Sequence, residues 1–181
     1  VPPTPVPSPT VTSTPVPTST PTSGSLIQNG GFENGSAPWQ ESSTGGYELV
    51  DTTNPHSGNY SAFLCGYGDC DDSIGQSFTV PASAAKITIS YWWDGETNSF
   101  SQSCDDTLTA SLLDSNGQVI ATLQQACNTD ATSNWQQASF DATNTLSHYG
   151  GQTVTLVFEG KTGSFGASTA FFVDDVVVSA S

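Results

Sequence analysis

Positive charge is nearly missing. The 181 residues hold two lysines, Lys86 and Lys161, and no arginine, against 17 Asp or Glu, for a formal net charge of −15. Binding phosphates or anionic lipid headgroups needs clustered cations, so nucleic acid and membrane surfaces are poor partners for this chain. Methionine is absent, and no apolar run approaches the roughly 20 residues that cross a bilayer as a helix, so membrane insertion is not expected. Catalytic signatures are missing too. The two histidines, His56 and His148, lack metal-ligating spacing, and there is no phosphate-cradling glycine loop and no G-x-S-x-G nucleophile. The acids are numerous enough to pair for glycoside hydrolysis, but no long loops are available to build a cleft around them, so no enzyme is expected. Only 10% of residues are charged, while Thr, Ser, Gly and Asn abound, the usage of an extracellular β protein. The sequence opens at Val1 without a charged-then-apolar leader; in a secreted protein the leader is expected to have been removed.

Proline is scarce except at one end: eight of the 11 fall within residues 1–25, beside twelve Ser or Thr, with no charge and no aromatic ring. Such a segment cannot bury a core that repays its ordering entropy, so it is expected to be a stalk, and residues 26–181 a single domain. Proline at this density imposes polyproline II at about 3.1 Å per residue, a reach on the order of 75 Å. Ser and Thr set among Pro are the composition of O-glycosylated stalks, with Thr4, Ser8, Thr10, Thr12, Ser13, Thr14, Thr18, Ser19, Thr20 and Thr22 as the candidate carriers. A plain interdomain linker is the other reading. Thr10, Val11, Thr12, Ser13 and Thr14 form the longest proline-free stretch, mostly β-branched and able to add as a strand to an exposed sheet edge.

From Ser25 onward, short β-branched and aromatic runs alternate with Gly, Asn, Asp and Ser clusters. Strands are expected at 26–28, 47–51, 60–65, 73–80, 86–93, 107–114, 118–125, 136–141, 153–159 and 169–178, with one helical turn at 143–149. Ten short strands at this spacing predict an all-β, two-sheet sandwich. Asp114-Ser115-Asn116-Gly117 is a hairpin turn signal. If Asp114 faces Gly117, Leu112 meets Val119, Ala110 meets Ala121 and Leu108 meets Leu123 on one apolar face, and Cys104 meets Cys127 within disulfide range. That leaves Cys65 with Cys70 around a tight loop. Thiolate ligation of a metal is the competing reading, although the spacing differs from a zinc knuckle. Disulfides imply an oxidising compartment.

Leu26-Ile27-Gln28-Asn29-Gly30-Gly31-Phe32-Glu33, then Trp39, His56-Ser57-Gly58, Trp135 and Phe171-Phe172-Val173-Asp174-Asp175-Val176 resemble the signature of the galactose-binding-like jelly rolls. That group includes carbohydrate-binding modules attached to xylanases and glucanases. The chain is also similar to jelly-roll domains with the same four-cysteine pattern at the C-termini of secreted bacterial proteases and surface proteins. The likeness runs from about Leu26 to Ser181 and implies a jelly-roll β-sandwich, extracellular or on a bacterial cell surface.

The resemblance also implies a structural Ca²⁺ where the first and last strands meet, with carboxylates from Glu33 and Asp174 and backbone carbonyls near Asn54 and Ser57. Period-two alternation puts Asp174 on the face of Val176 and Val178, an acid on the core side that needs a partner. Capping of loop amides by the two carboxylates is the alternative. Sugar-binding jelly rolls use exposed rings, which stack on a pyranose while nearby polar groups bond its hydroxyls. Trp92 is the odd ring on the polar face of its strand, so it anchors the candidate platform with Tyr67, Phe100, Gln76 and Glu96. Cover by a loop or a neighbouring subunit is the other reading of Trp92. Trp39 and Trp135 match positions that imply core packing.

Two functions follow as expectations. The first is a non-catalytic structural subunit whose stalk docks on the next copy, self-associating head to tail into a fibre. The alternative is a carbohydrate-binding module with its linker, cut from a secreted enzyme or adhesin.

Overall fold

The computed structural model describes residues 24–164 and 168–181. The docking segment Thr10 to Thr14 and the hydroxyls expected to carry glycans lie outside the described residues. The elements in chain order are β1 (Gln40–Ser43), β2 (Val50–Asp51), β3 (Ser61–Cys65), β4 (Asp71–Thr79), β5 (Ile87–Thr97), β6 (Thr107–Leu113), β7 (Val119–Cys127), β8 (Gln136–Asp141), α1 (Thr143–Leu146), β9 (Thr153–Lys161) and β10 (Thr169–Ala180). They make two five-stranded antiparallel sheets, β1-β4-β9-β6-β7 and β2-β3-β10-β5-β8, facing each other as a jelly-roll sandwich. Alternation explains the layering. In β5, Ile87, Ile89, Tyr91 and Trp93 point inward and are buried, while in β9 Val154, Leu156 and Phe158 do the same from the opposite sheet. Tyr91 and Phe158 meet edge to face across the core, with ring centroids 4.8 Å apart.

The signature segment closes one end of the sandwich. Phe32 and Trp39 are buried with centroids 5.2 Å apart, and Trp39 Nε1 donates to the Asn29 carbonyl at 2.9 Å. Val176 N donates to Gly30 O at 2.9 Å, and the carbonyl of Val176 leaves no room for a Cβ on Gly30. Only glycine lets the two backbones approach so closely.

Several expectations change. Residues 26–28 form no strand; Ser25 makes one isolated bridge to Ser179, and Leu26 N donates to Val178 O at 2.7 Å. The strand missed is β1, Gln-Glu-Ser-Ser, which pairs with β4 at the edge of its sheet and carries no apolar alternation. The expected hairpin register is wrong as well. Asp114 N donates to Gln118 O, and two irregularities, at Ala110/Ser111 and Leu112/Leu113, move the pairing so that Leu112 faces Ala121 and Thr107 faces Cys127. Leu108, Ala110 and Leu112 keep the core side, but Val119 is 61% exposed. Cys104 still reaches Cys127, with Cα atoms 5.1 Å apart, from the loop ahead of β6 rather than from the opposed position. The second disulfide joins Cys65 and Cys70 as expected, and no cysteine is free to ligate a metal.

Candidate functional site

The outer face of the sheet β2-β3-β10-β5-β8 collects rings and carboxylates. Phe63 of β3, Phe172 of β10 and Asp94 of β5 stand in one row, and Asp174 of β10 faces Trp92 of β5 in the next. Here the parity reading of Asp174 fails: Asp175 has φ +49°, and the register shifts between Asp174 and Val177, so Asp174 lies on Trp92's face rather than with Val176 and Val178. The bulge is what turns the two carboxylates of Asp174 and Asp175 toward the loop after β2.

That loop folds over the face and is held by both. Asp174 Oδ2 accepts the backbone N–H groups of His56 and Ser57, each at 3.0 Å, and Oδ1 accepts the N–H of Asp175 at 2.7 Å. Burial pushes the Asp174 carboxyl up to about 7; the N–H of Ser57 pulls the other way, and the neighbouring charge of Asp175 adds to the rise. His56 Nδ1 lies 2.7 Å from Asp175 Oδ2, and its ring stacks on Trp92 with centroids 4.0 Å apart and planes 16° apart. Trp135 meets His56 edge-on at 5.3 Å and lies 6.5 Å from Phe172. Trp135 therefore belongs to this outer cluster and not to the core, whereas Trp39 is in the core as expected. His56, Ser57 and Asp175 are the residue types of a hydrolytic triad, but Ser57 Oγ donates to Asp175 Oδ1 at 2.9 Å and so has no imidazole base.

The expected Ca²⁺ ligands gather around the same loop, but with nitrogen or hydroxyl donors on their oxygens. Glu33 Oε1 accepts the N–H groups of Asn59 and Tyr60 at 2.7 and 2.8 Å, and Oε2 accepts Asn59 Nδ2 at 3.3 Å. Gly58, at φ +63°, lies directly against the Glu33 carboxylate, where a Cβ would collide. The Asn54 carbonyl accepts the Ser61 hydroxyl at 2.9 Å, and the backbone N–H of Ser57 points at Asp174. As placed, Glu33 and Asp174 accept donors of the loop; Ca²⁺ would need six to eight oxygens gathered there.

Beside Phe63 the face opens into a groove of about 350 Å³, lined by Gly66, Glu96, Thr97, Asn98, Ser133, Ser168 and Ala170. Gly66 packs against the half-buried Phe63 ring. Asn98 Oδ1 accepts Ser168 N at 3.0 Å, Ser133 N donates to Gly95 O at 3.1 Å, and Glu96 is exposed with Oε1 3.5 Å from Asn54 Nδ2. Carboxylate, amide and hydroxyls beside a partly exposed ring are groups that bond the hydroxyls of a sugar while its apolar face stacks.

Of the expected platform, Trp92 and Glu96 share this face, about 13 Å apart along β5. Tyr67 is elsewhere: its hydroxyl donates to Asp72 at 2.7 Å and accepts Gly45 N at 2.9 Å, with Tyr47 edge-on at 5.4 Å. Phe100 is 97% exposed. Gln76 is on β4 of the other sheet, buried, its amide bonding the Gln28 backbone N and O at 2.8 Å each. Phe63, His56, Asn98 and Ser133 were not among the expected residues. Phe63 carried the same signal as Trp92, a ring on the polar side of a strand whose Ala62 and Leu64 face the core.

No protein-family model matches the chain, and no curated protein matches it. Among solved structures, TmCBM61 in complex with β-1,4-galactotriose is similar at a TM-score of 0.61 with 16% identity, over 87% of this chain and 99% of that one. A family 16 carbohydrate-binding module matches at 0.50 with 19% identity, over 84% and 98% of the two chains. The K1 cleaved adhesin domain of Lys-gingipain from Porphyromonas gingivalis W83 matches at 0.52 with 11% identity, over 80% and 92%. At these identities the likeness shows the fold, a jelly-roll sandwich built on the plan of carbohydrate-binding modules.

Proposed function

We propose that this domain is a non-catalytic carbohydrate-binding module that works outside the cell, with the groove beside Phe63 as its sugar site. One observation carries the reading: Glu96, Asn98, Ser133 and Ser168 line one groove, whose Gly66 packs against the half-buried ring of Phe63 on the face that also carries Trp92. Similar folds among carbohydrate-binding modules support it, as do two disulfides suited to an oxidising compartment. The fibre expectation draws no support: its docking strand lies outside the described residues, and the comparisons favour sugar binding. His56 stacks on one face of Trp92 as Phe172 does on Phe63, and Phe63 is taken as the platform because Gly66 of the groove packs against its ring.

The test is calorimetric titration of the whole chain with a panel of β-linked oligosaccharides. A ligand should emerge, and Phe63→Ala and Asn98→Ala should each weaken it by about five- to tenfold, a stacked ring and a polar contact each contributing about 1 kcal/mol or more. A panel without any binder, or binding indifferent to both variants, sinks the reading.

A further inference from the structure

Resting on the sugar-binding reading of the groove, we propose that Glu96 makes the site select sugars bearing a free amine, of the glucosamine type, and turn away acidic ones. Glu96 is the ionisable side chain of the lining, and it is exposed. Its Oε1 touches Asn54 Nδ2 at the limit of a hydrogen bond, 3.5 Å, and among the described residues no group donates to Oε2. That oxygen is therefore available to a ligand. The carboxylate behind it, Asp94, is buried and already occupied, by Asn54 Nδ2 at 3.1 Å and Gly95 N at 2.8 Å, so it adds negative field without competing for the ligand.

Among the described residues neither lysine offsets that field. Lys161 lies on the other sheet, its Nζ 2.9 Å from Glu159 and 3.7 Å from Asp71, and Lys86 precedes β5, ten residues and about 33 Å of extended strand from Glu96. A uronate or sulfated sugar would bring a second negative charge to Glu96 with nothing to neutralise it. An ammonium would gain a charge-assisted bond to an oxygen that has no other partner among the described residues. A neutral hydroxyl can bond the same oxygen but gains less.

The experiment titrates the whole chain with three probes at mildly acidic pH, where a sugar amine is charged: the β-1,4-glucosamine hexamer, its N-acetylated counterpart and hexagalacturonate. The amine should bind about fivefold tighter than the acetylated chain at low salt, the advantage should shrink as salt is raised, and the uronate should not bind. Glu96→Gln should remove the advantage, so that the amine and acetylated chains bind with equal affinity. Equal affinity for amine and acetylated chains, or binding of the uronate, overturns the selectivity while the sugar site stands. If none of these probes and none of the neutral panel binds, the sugar reading falls and this proposal with it.

Discussion

Glu33 holds three groups of one loop with one side chain: two backbone N–H groups on Oε1 and the Asn59 amide on Oε2. Glu33→Ala leaves Asn59 N and Tyr60 N without that acceptor, so unfolding should be easier by about 1–3 kcal/mol, read from urea midpoints. Running the same melts with EDTA separates capping from a cation. A carboxylate that only caps loses nothing to the chelator, whereas a drop that added Ca²⁺ restores would assign its oxygens to an ion. Asp174 makes a second prediction at this scale. Its carboxyl is pushed from the ordinary 3.8 up to about 7, so between those values the folded chain holds a proton that the unfolded chain releases. The sign follows: this group favours folding at the acidic end of the window and ceases to as pH rises through about 7. Urea stability should therefore fall from pH 5 toward pH 8 in the wild type. In Asp174→Asn, which keeps one acceptor for the loop amides beside His56 and Asp175, the slope should flatten. An unchanged slope would remove Asp174 as its source.

At the scale of elements, bulges decide what could be foreseen. Nine of the ten expected strands lie where alternation and β-branched runs placed them, because the core selects one face of each strand regardless of its partners. Pairing is less legible. Neither the irregularities in β6–β7 nor the Asp174/Val177 shift in β10 leaves a mark in the apolar pattern, and each turns a face assignment made by counting residues. The polar β1 was invisible for the opposite reason, an edge strand with no apolar stripe. Cross-strand rows such as Phe63–Phe172, which define the site, depend on register and so appear only in the fold. The disulfides were legible because a covalent bond tolerates a shift of register. They differ in the loop each closes, with separations of 23 for Cys104–Cys127 and 5 for Cys65–Cys70. Loop-closure entropy then ranks them, about 3 against about 2 kcal/mol. Cys104→Ser/Cys127→Ser should shift the denaturant midpoint further than Cys65→Ser/Cys70→Ser. The reverse order would mean that packing around the short loop, where Asp72 Oδ2 accepts Cys65 N at 3.0 Å, outweighs chain entropy.

Across the whole molecule, charge is the property that no single contact expresses. Every Asp, Glu and Lys lies in residues 26–181, so the sandwich alone carries the net −15. Its radius of gyration is roughly 15 Å, shorter than the Debye length of about 30 Å at 10 mM salt and longer than the 8 Å or so at physiological strength. At low salt, therefore, carboxylates on opposite faces repel one another, and at physiological salt they mostly do not. The melting temperature should rise by a few degrees over that range, roughly 2–4 °C for each kcal/mol of repulsion relieved in a domain of this size. Salt and proton effects separate cleanly: screening acts on the exposed acids and fades once they are shielded, whereas the cost of ionising buried Asp174 persists in high salt. Removing residues 1–25 takes away no charge, so the truncated domain should show the same salt response as the full chain. If the response differs, the two species must differ in association, and sedimentation of both would show whether that segment joins copies together. A melting temperature flat in salt would mean that the acids are compensated locally, and Glu96 would then lose the long-range field that helps it to exclude acidic sugars.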